Sequence, residues 1–221
     1  MDLKEIQDKL PEKAYNLISK DIIKLRPAQE KAVKSGLLEN KSVLVCTPTA
    51  SGKTLIAEMA ALKSILDDGG KAVYIVPLKA LASEKFKDFK NKYSGILRVA
   101  LSIGKLDSAD PYLADYDLII VTAEKMDSLL RHHTPWANKI SVLIVDEVHL
   151  LNDPGRGPTL EILITLLRKL IKNLQIVALS ATIGNPDELA EWLDAALIVD
   201  NWRPVKLKQG VFFDREIEFL K

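Results

Sequence analysis

Two short strings restrict this chain to few architectures: TPTASGKT at residues 47–54 and VLIVDEVH at residues 142–149. Each goes with a short apolar run, SVLVC (42–46) and SVLIV (141–145), of the kind that forms a central parallel strand buried on both faces. A polypeptide holds a triphosphate by curling backbone N–H groups around it with a helix N-terminus behind them. The first string supplies that loop. Thr47, Pro48, Thr49, Ala50, Ser51 and Gly52 form the turn, Lys53 reaches the β- and γ-phosphates, and the Thr54 hydroxyl ligates Mg²⁺. LIAEMAALKSIL then carries apolar residues at helical spacing. The second string sets Asp146 and Glu147 directly beyond a strand, where a doubly wound sheet binds its ligands. Asp146 is expected to hold Mg²⁺ through water, and Glu147 to orient and deprotonate the attacking water. Together the strings imply a site that binds MgATP and cleaves it, with Glu147, Asp146 and Lys53 as catalytic residues.

The octet departs from the usual glycine-rich pattern. Thr47 stands where a first glycine is customary, Pro48 fixes φ at the entry, and Gly52 alone permits close backbone approach. Such an octet also suits an ordinary turn before a helix, and an acid pair also suits a solvated helix start. Their order and their strand context select the nucleotide reading.

The remaining runs alternate. AVYIV, LRVAL, DLIIVT and QIVALS join the two strands above, with amphipathic segments between most of them. That is the βαβ pattern of an α/β domain, a mostly parallel sheet with helices on both faces. Residues 1–25 read as a helical leader, KEIQDKL and EKAYNLISK broken by Pro11. Residues 26–200 form the main domain, and 201–221 read as a segment leaving it. NDPGRGP (152–158) reads as a substantial loop before the helix TLEILITLLRKLI. With 221 residues, 48% hydrophobic and 28% charged, the chain can bury a good core. No apolar run is long enough to span a bilayer, and the start does not read as a signal peptide. The single cysteine, Cys46, excludes a disulfide framework within one chain and fits a reducing cytoplasm; it reads as a small buried residue. A net charge of only +1 means that any polyanion must meet a local basic patch.

These motifs resemble the first RecA-like motor domain of superfamily-two helicases, within them the superkiller-like branch. The chain is most similar to archaeal DNA repair helicases of the Hel/Hjm type, relatives of the polymerase-theta helicase. LRPAQ resembles the segment whose glutamine, Gln29, reads the adenine edge. DEVH carries His149 in place of the final aspartate of the DEAD branch. SAT resembles the motif that links nucleotide state to the nucleic acid, so His149, Ser180 and Thr182 are implied to couple the two. PLKALASEK, SIG and TAEKMDSL resemble segments that touch a strand's backbone, which implies contacts from Pro77, Lys79, Ser83, Gly104, Thr122 and Lys125. RGPTLE and NWRP resemble features of the superkiller-like branch itself. The resemblance implies ATP and Mg²⁺ as cofactors, and single-stranded or forked DNA as partner with RNA left open. It also implies 3′-to-5′ movement, work in repair or at stalled forks, and no membrane.

The residues support the strand contacts independently. Pro77 ends a strand, and Lys79, Ser83 and Lys85 open the next helix, where free N–H groups and cations meet phosphate. Thr122 and Lys125 sit likewise after LIIV. Within that helix Leu81, Phe86 and Phe89 read as inward, and Lys87, Lys90 and Lys92 as a solvated face. His132 and His133 invite a metal reading, yet no carboxylate or cysteine spacing supports one, and a solvated helix end fits. Trp136 and Trp192 read as packing residues, and Trp202 as leaning either on a further domain or back onto this one. Motors of this kind resemble one another in drawing arginines from a second RecA-like domain. About forty residues follow SAT, too few for one. Arg156 and Arg203 belong instead to the RGP loop and the exit segment. The expectation is half a motor, a fragment of a longer helicase, that hydrolyses ATP poorly and does not unwind alone; the alternative is a nucleotide-dependent binding module without translocation.

Overall fold

The computed structural model describes residues 1–104, 108–132, 134–205, 208, 210–214 and 216–219; His133 lies outside them. In chain order the elements are α1 (Glu12–Ile18), α2 (Pro27–Lys34), β1 (Val43–Cys46), α3 (Lys53–Asp68), β2 (Lys71–Val76), α4 (Lys79–Lys92), β3 (Val99–Ser102), β4 (Leu118–Thr122), α5 (Ala123–Arg131), β5 (Ile140–Val145), α6 (Gly157–Leu170), β6 (Gln175–Ser180), α7 (Pro186–Leu193), β7 (Ala196–Val199), β8 (Gly210–Phe213) and β9 (Glu216–Phe219). The first seven strands form one sheet in the order β3-β4-β2-β5-β6-β1-β7. Every pair in it is parallel. The α/β architecture read from the alternating runs is the one observed.

Side-chain alternation along each strand divides the core. Val43, Val45, Ala72, Tyr74, Val76, Ile120 and Ile144 face one layer with α1 to α4. Leu44, Cys46, Val73, Ile75, Val121, Leu143 and Val145 face the other with α5, α6 and α7. Both faces are covered, which is why the central strands read as unbroken apolar runs. The leader is a 3-10 turn, Leu3–Lys9, followed by α1. Its Leu3, Ile6, Leu10, Ala14 and Ile18 lie in the first core layer.

The sequence reading misses two features. DAALIV continues the apolar spacing of the preceding helix, but Asp194 takes a left-handed φ of 51° and ends α7. Ala196–Val199 then pairs with β1 as the edge strand. Beyond it, β8 and β9 form an antiparallel hairpin in the segment read as merely leaving the domain. The loop before α6 is also shorter than NDPGRGP suggests. A 3-10 turn covers Val148–Asn152, the Asp153 carboxylate accepts from the Gly155 and Arg156 amides at 2.9 Å, and the helix starts at Gly157. In α4, Phe89 is buried and Leu81 and Phe86 pack against the core, as read. Lys87 and Lys90 are exposed. Lys92 is not a solvated lysine: its ammonium lies 2.6 Å from the buried Glu58 carboxylate. Trp136 is buried, Trp192 partly so, and His132 is exposed at the end of α5.

Gly157 sits where no side chain fits. A Cβ there would stand 2.1 Å from the Leu151 carbonyl oxygen and 2.9 Å from its carbon, both backbone atoms. At Gly155 the nearest atom would be the Asp153 carboxylate at 3.3 Å. Gly157→Ala should therefore cost about 1–3 kcal/mol by forced backbone displacement, read by chemical denaturation. Gly155→Ala should stay within about 0.5 kcal/mol.

Candidate functional site

The register places the carboxyl ends of six strands on one edge. Cys46 pairs with Ser180, Val145 with Ala178, Ile75 with Val145, Val76 with Thr122, and Ser102 with Val121. The edge has two halves. The ends of β1, β6 and β5 carry the loop, Ser180 and the acid pair. The ends of β2, β4 and β3 carry Pro77, Thr122 and Gly104, with Lys79 and Ser83 in the first turns of α4. Later chain, β5 and β6, inserts between β1 and β2, so residues nearly a hundred positions apart become neighbours.

The loop is held from several sides. Thr47 and Ser51 are buried, and their hydroxyls lie 2.7 Å apart. Gly52 caps α3 at φ 92°, and a Cβ there would stand 2.5 Å from the Gln29 amide nitrogen. Gln29 is itself buried. Its oxygen accepts from the Arg26 amide at 2.8 Å and its nitrogen donates to the Gly52 carbonyl at 2.9 Å. One amide end thus braces the loop, and the other ties Gln29 to the start of its own helix. Arg26, which motif reading passed over, donates to the Ala50 carbonyl at 2.8 Å and lies 5.3 Å from the centre of the Trp202 ring. Trp202 therefore leans back onto this domain. Lys31 adds an ion pair to Asp200 at 2.8 Å, fixing the chain beside it. Ala50 carries φ 63°, a conformation that costs a residue with a Cβ on the order of 1–2 kcal/mol. Thr49 is exposed and Pro48 buried.

Lys53 curls over the loop, its ammonium 2.7 Å from the Thr47 carbonyl and 3.4 Å from that of Pro48. Burial lowers its pKa, against the Glu147 and Asp146 carboxylates that favour the charged form. Thr54 follows, its hydroxyl accepting from Lys85 at 3.2 Å. Opposite, Asp146 accepts from the buried Tyr74 hydroxyl at 3.0 Å and from the Glu147 amide at 3.1 Å. Glu147 has φ 53°, a second strained position. Its carboxylate lies 3.3 Å from His149 Nδ1, within ion-pair range of a protonated imidazole but off the line of a hydrogen bond. Ser180 is buried with an unpartnered hydroxyl, and its carbonyl accepts from the Thr47 amide at 3.3 Å. Thr182 is exposed beyond it. Cys46 is 2% exposed, and burial lifts its thiol to about 11. That is a buried apolar role, with no nucleophile at neutral pH.

The other half of the edge is a groove of about 330 Å³, lined by Pro77, Leu78, Lys79, Ile103, Gly104, Thr122, Glu124, Lys125 and Arg156. It gathers five of the six residues assigned to strand contact; Ser83 lies outside its lining, on α4. It also adds Arg156, exposed at the start of α6 and set aside in the sequence reading. Lys125 does not fit the role of a cation offered to phosphate. It is 1% exposed, and its ammonium donates to Ser108 and pairs with Asp110 at 3.1 Å. Thr122 is buried as well; its hydroxyl accepts from the Lys125 amide and caps α5. Among the described residues no group of three His, Cys, Asp or Glu could hold a metal ion, and no helix is long and apolar enough to cross a membrane.

Residues 26–189 match the DEAD/DEAH box helicase family. The chain is 58% identical over 206 residues to the ATP-dependent DNA helicase Hel308 of Methanocaldococcus jannaschii, covering 90% of this chain and 17% of that protein. It is 54% identical over 197 residues to Hel308 of Pyrococcus horikoshii, covering 89% of this chain and 27% of that one. The chain thus spans a minor part of these relatives. Among solved structures, the DUF1998 helicase MrfA bound to DNA and AMPPNP shares the fold, with a TM-score of 0.72 at 24% identity over 88% of this chain and 30% of that one. The matched span begins at the arginine that braces the loop and runs past the serine between loop and acid pair, and on it the chain belongs to the DEAD/DEAH box helicase family.

Proposed function

We propose that this chain is the ATP-binding first motor domain of a 3′-to-5′ DNA helicase that works in the cytoplasm at stalled forks or in repair. The observation that carries the motor-domain reading is the single sheet edge on which a phosphate-type loop, an Asp-Glu pair and a groove of about 330 Å³ stand side by side. The lean to DNA rests on the Hel308 relatives, since backbone contacts do not read bases and the 2′-OH surroundings decide between DNA and RNA. On this reading 1–25 and 26–200 work as one ATP-binding unit, and 201–221 leads toward a second RecA-like domain.

The donor set suits Mg²⁺. Thr54 and Asp146 offer oxygen alone, and a hard cation held by one or two protein oxygens plus phosphate needs no protein cage. Bound there, Mg²⁺ supplies charge neutralisation on the transferring phosphoryl group. Lys53 leaves the loop carbonyls for the phosphate oxygens, and Glu147 accepts a proton from the attacking water. His149 and Ser180, beside the acid and the loop, and Thr182 beyond Ser180, carry the nucleotide state toward the groove. Gln29 fixes the loop, and reading the adenine edge, the role its motif resemblance implies, would require it to exchange its bond to Gly52 for one to the base. Stabilising the transferred charge calls for arginines of the second motor domain, worth ~10³–10⁵ in rate, so the chain alone should turn over ATP slowly.

Lys53→Ala should weaken nucleotide binding, measured by calorimetry. Glu147→Gln should retain binding yet lose turnover by ~10²-fold or more in the two-domain motor; normal hydrolysis by that variant would remove Glu147 from the role of base.

The groove makes a sharper distinction. Arg156→Ala should weaken binding of single-stranded DNA uniformly across sequences and reduce the salt slope by about one. Lys125→Ala should act on the fold, costing about 3 kcal/mol because Asp110 loses its buried partner. Fluorescence anisotropy against salt and denaturation curves separate the two effects.

A further inference from the structure

Two residues outside the nucleotide motifs each touch one of the two residues assigned to the metal. Tyr74 lies in β2, 1% exposed, and its hydroxyl donates to Asp146 at 3.0 Å across the neighbouring strand β5. Its ring meets Phe89 of α4 edge-on, with centroids 5.5 Å apart at 67°. Lys85, also on α4, places its ammonium 5.8 Å from the centres of both rings and 3.2 Å from the Thr54 hydroxyl oxygen. One aromatic platform therefore carries a cation directed at Thr54 and a hydroxyl directed at Asp146.

We propose that Tyr74 is a positioning residue for the metal site, and that the Lys85 ammonium and a divalent cation are alternative occupants of the Thr54 oxygen. The proposal rests on the nucleotide reading above. A hydroxyl oxygen offers two lone pairs. An ammonium directed at one of them places a positive charge a few ångströms from any cation on the other, where the half-buried setting strengthens the repulsion. The metal must therefore displace Lys85. The displaced ammonium has a place to go, since the faces of Tyr74 and Phe89 already flank it and attract a cation. Lys85 thus acts as a built-in competitor that occupies the Thr54 hydroxyl until the metal displaces it. Tyr74 does the opposite. Its hydroxyl satisfies one oxygen of Asp146 and fixes the carboxylate's orientation, as outer partners of metal ligands do.

The test is Mg²⁺ titration of fluorescent ADP binding to this chain, followed by anisotropy and started from EDTA. Lys85→Met keeps the length and apolar contact of the side chain but removes the charge. It should lower the half-saturating Mg²⁺ concentration by about threefold or more, whereas Lys85→Arg should not. Tyr74→Phe removes only the hydroxyl and should raise that concentration by ~10-fold. A gain in metal affinity does not arise from damage to the fold, so Lys85→Met remains informative even if Tyr74→Phe is poorly stable. An unchanged or raised Mg²⁺ requirement in Lys85→Met would overturn the proposal. If the unmodified chain binds ADP without regard to Mg²⁺, the metal assignment itself fails, and this is seen before any variant is made.

Discussion

Parallel pairing in matched register is the constraint on which this domain depends. Because neighbouring strands run the same way and end at the same level, every connection that follows a strand emerges on one edge. The loop after Cys46, the carboxylates after Val145 and the turn after Val76 meet there although the chain separates them widely. A shift of one residue in one of these strands would turn its own site residue, Cys46, Tyr74 or Ser180, to the opposite face.

The site stores strain within this rigid frame. Ala50 and Glu147 both adopt left-handed backbone without being glycine. Each is over-determined by neighbours: the Ala50 carbonyl by Arg26, the Glu147 amide by the Asp146 carboxylate. Strain of this kind persists only where the surroundings hold it, and it gathers at functional sites. Arg26 also stacks near Trp202, so the conformation of the loop is tied physically to the segment that follows β7.

Most of the architecture was legible because it rests on local patterns. Buried parallel strands write themselves as short β-branched runs, and the TPTASGKT loop and DE follow two of them directly. What could not be read depends on partners distant in sequence. β7 is only four residues long and follows α7 almost without a break, and it pairs as a strand along β1. Lys125 follows a strand end much as Lys79 does, yet Asp110 and Ser108 draw it inward. Lys92 looks like surface charge until Glu58 is found beneath it. Arg156 belongs to the loop after the acid pair, and its place in the groove follows from the start of α6. Tyr74 is simply an aromatic residue in a strand until the register sets its hydroxyl against Asp146.

Cys46 has a practical consequence. The chain's single thiol lies at the root of the phosphate-type loop, closed off on both sides of its strand and held protonated at neutral pH. Toward alkylating dyes the folded domain is effectively a cysteine-free background. A cysteine placed on Leu78 or Thr182, both exposed near the two halves of the edge, would take a label selectively. Slow reaction at Cys46 would then serve as an internal clock for the opening of the sheet beneath the loop.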